Sequence, residues 1–358
     1  MKTRERIIAS LCCRKTDRTP LPFWLGFCPW GETQSRWRRE SGIADLNVQT
    51  LFEFDPFFKV VPLEYGPWPH LEQREISRDL EFVVSTDYRG ITMRNRVDHG
   101  SMPEFIGHPI QTHDAWKRYK DAHLQPKMEA RTAALGAYLE GLRGCDVPVQ
   151  VGTFPWGIFG TARDLMGAEE VLVGFYTEPE MIRDIMDTYT ELWLQLYGAV
   201  AERVQIDHIH IWEDMSGKQG SLVSPAMIED FMMPSYDRIA AFAKAHGVPV
   251  VSVDSDGMVD ELVPLMMKHG VNSFMPFEVQ AGCDIEVFRE QYPTLGIMGG
   301  LDKRALAKDR KAMHHELDRA ERMLVKGGWI PGFDHLIPPD VPWDNFNYFM
   351  QALRKMIR

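Results

Sequence analysis

The chain has 358 residues, 44% of them hydrophobic and 25% charged, a composition ordinary for a soluble globular protein with enough length for a sizeable core. A formal net charge of -11 argues against a nucleic-acid binder, which needs a basic footprint to displace counterions. Five cysteines with no Cys-x-x-Cys pair speak against a disulfide scaffold and a thiolate zinc cluster, and for a reducing compartment.

The amino-terminal stretch MKTRERIIASLCCRK is charged and lacks the apolar run of a signal peptide, and the uncharged run 147–162 is broken by Gly and Pro and is too short for a membrane span. A cytoplasmic enzyme without a membrane partner is expected. In chain order, Ile7, Ile8 and Leu11 have helical spacing within residues 4–15, ended at Pro20. Residues 21–27 and 56–63 read as apolar strands. Residues 81–97 alternate β-formers around Tyr88-Arg89-Gly90 and predict an inserted antiparallel hairpin, followed by a polar helical excursion over 108–135 anchored by Trp116. The whole insertion spans about 78–140.

From residue 147 onward strand and helix signals alternate. Strands are expected at 147–154, 207–213, 248–253, 273–277, 295–298 and 328–332, and helices at 168–175, 179–203, 225–246, 258–269, 285–291, 304–326 and 343–356. With the two early strands this makes eight, the count of a (β/α)8 TIM barrel in a single domain, 1–358, with an N-terminal helical and hairpin elaboration. No strand leads into a Gly-x-Gly-x-x-Gly fingerprint, which weighs against a doubly wound dinucleotide fold.

The stretch VPVVSVDSDG, 248–257, carries the clearest chemical signal. Its period of two puts Ser252, Asp254 and Asp256 on one strand face, with both acids at the carboxyl end, where α/β proteins collect ligands. Glu213, Asp214, Glu278, Asp302, Lys303, Asp334 and His335 fall at other predicted strand ends, and such ends converge in a barrel. The bland alternative is that individual acids cap helices or pair with Lys218, Lys303, Arg163 or Arg304. His208 and His210 share a strand face and suit a metal on spacing, although a hydrogen-bonded core pair is the commoner meaning. Trp30, Arg36 and Trp37 are candidates to line a pocket after the first strand. Oxygen ligands with one imidazole would suit a divalent cation, whereas paired carboxylates without metal would share a proton or hold a cationic or N–H substrate.

Several motifs together resemble the uroporphyrinogen decarboxylase superfamily: Arg4-Glu5-Arg6 with Asp17-Arg18-Thr19-Pro20, Glu213-Asp214-Met215, Ser224-Pro225, Ser255-Asp256-Gly257, Gly299-Gly300-Leu301-Asp302-Lys303, and Asp334-His335 before Ile337-Pro338-Pro339-Asp340. The resemblance covers nearly the whole chain and implies a (β/α)8 barrel. It also implies one of two chemistries, cofactor-free decarboxylation of tetrapyrrole acetates or corrinoid-linked methyl transfer by zinc enzymes. The decarboxylases carry an Arg-Gln-Ala-Gly-Arg segment after the first strand, where this chain reads Phe27-Cys28-Pro29-Trp30-Gly31; the acid nearest the family's catalytic Asp is Glu64. The methyltransferases' His-x-Cys zinc ligands fall on Asp254 and Asp256, and their later Cys near Phe333 or Asp334.

Methyl transfer or demethylation of a small substrate is the expected activity. Glu213, Asp254, Asp256 and His335 are the catalytic candidates, and Trp30, Asp302, Lys303 and Asp334 the substrate-binding ones. Asp254, Asp256 and His335 are the candidate ligands of a divalent metal, zinc favoured. Cobalamin would be carried by a small corrinoid protein, and the family suggests a homodimer. The alternatives are a decarboxylase acting on a tetrapyrrole or other acidic substrate, and a non-catalytic tetrapyrrole or corrinoid binder.

Overall fold

The structure, a computed structural model, describes residues 1–97 and 102–357. Residues 98–101, inside the expected insertion, and residue 358 lie outside the described residues.

Among the described residues the largest sheet is a parallel, curled one of seven strands in sequential spatial order. They are β1 (Lys59–Val60), β2 (Val149–Val151), β3 (His208–Trp212), β4 (Val250–Asp254), β5 (Ser273–Met275), β6 (Gly296–Met298) and β7 (Trp329–Ile330). Sequential order with helices between neighbours follows from apolar runs buried on both faces, which need crossover helices to cover them. β3 and β4 share the longest register, from Val250 opposite His208 to Asp254 opposite Trp212, so both end at the same height.

The expected eighth strand is not a regular one. Residues 21–27 form an isolated bridge from Pro22 to Asp55 and a 3-10 turn, Leu25–Phe27, and Pro29 bridges to Ile337. Pro20, Pro22 and Pro29 have no N–H to give a ladder, which ends regular pairing on this segment. The same effect trims the 56–63 run to β1, between Pro56 and Pro62. The segment nevertheless touches both ends of the sheet: Asp55 N–H donates to Leu21 O (2.9 Å) and Phe333 N–H to Gly26 O (3.0 Å).

Helices follow the expected alternation with physical edits. Pro179–Ala201 starts on a proline at its first position and buries one face, including Met181, Ile185, Trp193 and Leu196, each worth about 1.5–3 kcal/mol when fully removed from water. The expected helix 225–246 contains a π-turn, Ile228–Met232, just before Pro234, whose missing N–H cannot join the ordinary ladder. Helix Gly31–Ser41 and helix Ile158–Met166 have no counterpart in the sequence reading. Thr3–Leu11 is held against β7 by Ser10 Oγ donating to Trp329 O (3.1 Å).

The insertion is larger than a hairpin. Arg74–Arg78, Phe82–Thr86, Thr92–Arg96 and Glu104–Gly107 form a four-stranded antiparallel sheet. The helical excursion divides into His113–His123, Met128–Thr132 and Leu135–Leu142, interrupted at Pro126. Buried Arg89 ties the insertion to the rest of the chain, pairing with Asp87 (2.8 Å) and with Asp164 (2.7 Å) on helix Ile158–Met166. No helix among the described residues is long and apolar enough to cross a membrane.

Candidate active site

Asp254 closes β4, and the chain after it is fixed so that Asp256 turns towards the same edge of the sheet. Ser255 N–H donates to Met275 O on β5 (3.1 Å), while Ser255 Oγ accepts Met215 N–H (3.1 Å). Gly257 has φ +78°, and a Cβ there would stand 2.5 Å from Ser216 O, so the turn requires glycine. On the neighbouring strand the Asp254 carbonyl accepts the N–H groups of Glu213 (2.8 Å) and Asp214 (3.1 Å). Asp214, Glu278, Lys303, Asp334 and His335 follow the carboxyl ends of β3, β5, β6 and β7.

The group carries more carboxylates than cations. Lys303 Nζ pairs with Asp334 (3.2 Å), Arg163 with Asp214 (2.9 Å), and His335 Nε2 lies 3.5 Å from Asp256 Oδ2. Burial, with Asp214 and Glu278 adding like charge, pushes the Asp256 carboxyl up to about 7. The Asp254 carboxyl is held well above its usual range by burial and then by Asp256 and Asp214. Burial also lowers His335, reinforced by Lys303, so both partners of the Asp256–His335 pair are driven towards their neutral forms. Asp256 remains 35% exposed at its side chain and faces solvent on one side.

The other candidates separate by what they touch. Glu213 is fully buried: its carboxylate accepts N–H from Ile158 (3.0 Å), Phe159 (2.7 Å) and Gly160 (3.0 Å) and the Tyr236 hydroxyl (2.6 Å). It seats the first turn of helix Ile158–Met166, and burial holds it above its usual range in spite of four donors. Gly157 allows this approach, since a Cβ there would lie 1.8 Å from Trp212 O. Asp302 gives both oxygens to Arg304 (2.8 and 2.9 Å) and accepts its N–H, the capping and pairing role open from sequence. Asp334 is buried and spends its oxygens on Lys303 and on Val279 N–H (3.0 Å), which holds Lys303 at the edge. Trp30 reaches this region through its backbone, donating to Ile337 O (3.1 Å).

Among the described residues no three His, Cys, Asp or Glu side chains are placed to hold one metal ion. Asp254, Asp256 and His335 therefore do not assemble the ligand set expected for zinc. His208 and His210 are hydrogen-bonded in the interior, His208 to Gln150 (3.0 Å) and both to Ser252 Oγ (2.6 and 3.0 Å). Gln150 and Tyr236 escaped the sequence reading, whereas Ser252 had a signal in its shared face with Asp254. A cleft of ≈ 410 Å³ lined by Lys2, Arg4, Cys145 and Asp207 opens near the start of β3, away from these groups. Within it Arg4 pairs with Asp207 at 3.0 Å.

The model of the family Uroporphyrinogen decarboxylase (URO-D) matches residues 83–356, most of the chain, including the carboxylates and His335 at the carboxyl edge. The chain belongs to the uroporphyrinogen decarboxylase family. A methyltransferase from Methanosarcina mazei superposes on this family member with a TM-score of 0.63 at 17% identity, covering 100% of both chains, a likeness of fold. A Listeria monocytogenes protein described as a vitamin-B12 independent methionine synthase matches at a TM-score of 0.36 and 10% identity, with 94% of this chain and 99% of that one covered. No curated protein matches this member of the family.

Proposed function

We propose that this chain is a methyl-transfer enzyme, a methyltransferase or demethylase of a small neutral or cationic substrate, built on a closed (β/α)8 arrangement. The observation that carries the reading is the Asp256–His335 pair, 3.5 Å apart at the carboxyl edge, with the carboxyl pushed up to about 7. A methylated substrate that loses its methyl group leaves an electron pair on its heteroatom, which takes up a proton. Protonated Asp256 supplies that proton, and neutral His335 beside it accepts the next one from solvent. In the reverse direction, ionised Asp256 removes the proton from an acceptor X–H as X gains methyl. A corrinoid carried on a small partner protein would supply or take the methyl group, docking at the same edge as a second substrate. A homodimer and a cytoplasmic setting accompany this reading.

The excess of carboxylates, Asp214, Asp254, Asp256, Glu278 and Asp334, supports methyl transfer over decarboxylation of a tetrapyrrole. A polyanionic substrate would be repelled where the family's arginine segment is replaced by Phe27-Cys28-Pro29-Trp30-Gly31. The test incubates the purified chain with methylcobalamin or reduced cobalamin and a panel of methylated amines, ethers and thiols, following the corrinoid spectrum. Turnover lost in Asp256→Asn is expected. Release of carbon dioxide from uroporphyrinogen with no methyl transfer would make the chain a decarboxylase, and tight corrinoid binding without any turnover would make it a carrier.

A further inference from the structure

Beneath the carboxylates a line of polar side chains crosses the apolar interior, and the methyl-transfer reading gives it no part. Gln150 on β2, His208 and His210 on β3 and Ser252 on β4 are all buried, with Ser252 opposite His210 in the register. Buried polar atoms need partners, and here the partners fix every hydrogen. The Gly152 carbonyl can only accept, so the Gln150 atom 2.9 Å from it is Nε2. Oε1 therefore faces His208 Nδ1 at 3.0 Å, and that nitrogen carries the hydrogen.

Burial pushes His208 well down and His210 down to about 4, which keeps both rings neutral near pH 7. His208 Nε2 is then bare and accepts the Ser252 hydroxyl at 2.6 Å. The single hydroxyl hydrogen is spent, so Ser252 Oγ accepts from His210 Nδ1 at 3.0 Å. His210 is left with an unprotonated Nε2, and it points at Asp254 Oδ2 across 3.9 Å. That gap is too wide for a hydrogen bond. Among the described residues no group donates to the Asp254 carboxyl either.

We propose that His210 Nε2 and Asp254 Oδ2 are the paired acceptors of a subsite for a small ammonium or amine group, which donates one N–H to each. A nitrogen at an ordinary 2.9 Å from both atoms subtends about 85°, close enough to the spread of two hydrogens on one nitrogen for two bent bonds. A cation bound there favours the ionised form of Asp254, which burial beside Asp256 and Asp214 otherwise holds towards its acid, so the ammonium group takes the place of the proton. A substrate nitrogen without hydrogens gains the charge term and forfeits both bonds. The inference rests on the carboxyl edge being the substrate site, and it does not depend on methyl transfer or on a corrinoid.

The experiment is nitrogen NMR of the full chain labelled at histidine, with Asp254→Asn and Ser252→Ala beside the wild type and His210→Gln to assign the ring. At pH 7 the His210 signals are expected to show hydrogen on Nδ1 and none on Nε2, and Ser252→Ala to let the two tautomers mix. Methylammonium should shift Nε2 saturably, tetramethylammonium should not, and Asp254→Asn should weaken the methylammonium response about tenfold, the loss of one charge-assisted bond. Hydrogen on Nε2 in the wild type, an equal response to both cations, or no saturable shift would overturn the proposal. A saturable methylammonium response in a chain that transfers no methyl group would leave the subsite standing and remove the function proposed above.

Discussion

Glu213 was a catalytic candidate by position, and its surroundings assign it to holding helix Ile158–Met166, a difference that substitution can measure. Glu213→Ala strands three backbone N–H groups and the Tyr236 hydroxyl. At about 1–3 kcal/mol for each buried donor left unpaired, with water recovering part of the loss, the cost is about 4 kcal/mol. Glu213→Gln keeps one oxygen for Phe159 and Gly160, and the Tyr236 hydroxyl can rotate to accept from the new amide. Only Ile158 N–H is then lost, for about 2 kcal/mol. Unfolding entropy near 2.1 cal/mol/K per residue gives about 0.75 kcal/mol/K for a chain of this length. Tm should therefore fall by about 5 °C for Ala and about 3 °C for Gln, read by calorimetry at pH 7. Turnover well below the transition should persist in Glu213→Gln. A Tm within about 1 °C of wild type in Glu213→Ala, with activity abolished in both variants, would refute the structural assignment.

Asp256 has its folded value at about 7, above the ordinary 3.8, so the folded state binds its proton more tightly. Its contribution to stability is full below about pH 4 and is lost as pH rises through about 7; Asp256→Asn should flatten that part of the Tm-against-pH curve and remove the matching limb of the turnover profile. Gly257→Ala places a Cβ 2.5 Å from Ser216 O at φ +78° and should cost about 1–3 kcal/mol in urea unfolding, with the pH profile displaced because Asp256 moves with the turn. Asp164→Ala leaves the buried Arg89 guanidinium with one of its two carboxylates; the expected cost is about 3–5 kcal/mol, and limited proteolysis within residues 72–97 should speed up while the sheet core resists.

The parallel sheet was legible because its strands are short apolar runs separated by amphipathic helices, a pattern set by burial on both faces. What was not legible depends on single atoms. The segment 21–27 has strand-like side chains, yet its prolines withdraw the donors that a ladder needs, and periodicity does not weigh that. Helix Ile158–Met166 is short, and it starts straight after Pro155 and Gly157, so its opening reads as the loop that follows a strand. That helix is also what occupies Glu213. Without it in view, a carboxylate at the end of a strand looked free for chemistry. Strand ends alone suggest that Asp214, Asp254, Asp256, Asp334 and His335 lie near one another, whereas the particular pairings, Asp302 with Arg304 and Asp334 with Lys303, needed the structure, since the sequence offered only that some acids would pair with nearby cations.

The substitution of Asp254 and Asp256 at the places where the family resemblance puts His and Cys has a chemical consequence that the surroundings of these residues sharpen. A thiolate is a soft ligand, whereas a carboxylate buried beside other carboxylates is forced towards its acid form. Asp256 at about 7 is as ready to give a proton as to take one near neutrality, a property that an ionised metal ligand would not keep. Asp254 faces a bare imidazole nitrogen that nothing among the described residues satisfies. The same positions that would bind an ion as His and Cys are suited, as Asp, to binding a donor group and moving its proton. In the proposed reading, the chain therefore handles the leaving or attacking heteroatom through its hydrogens, and a fully substituted nitrogen becomes its poorest substrate.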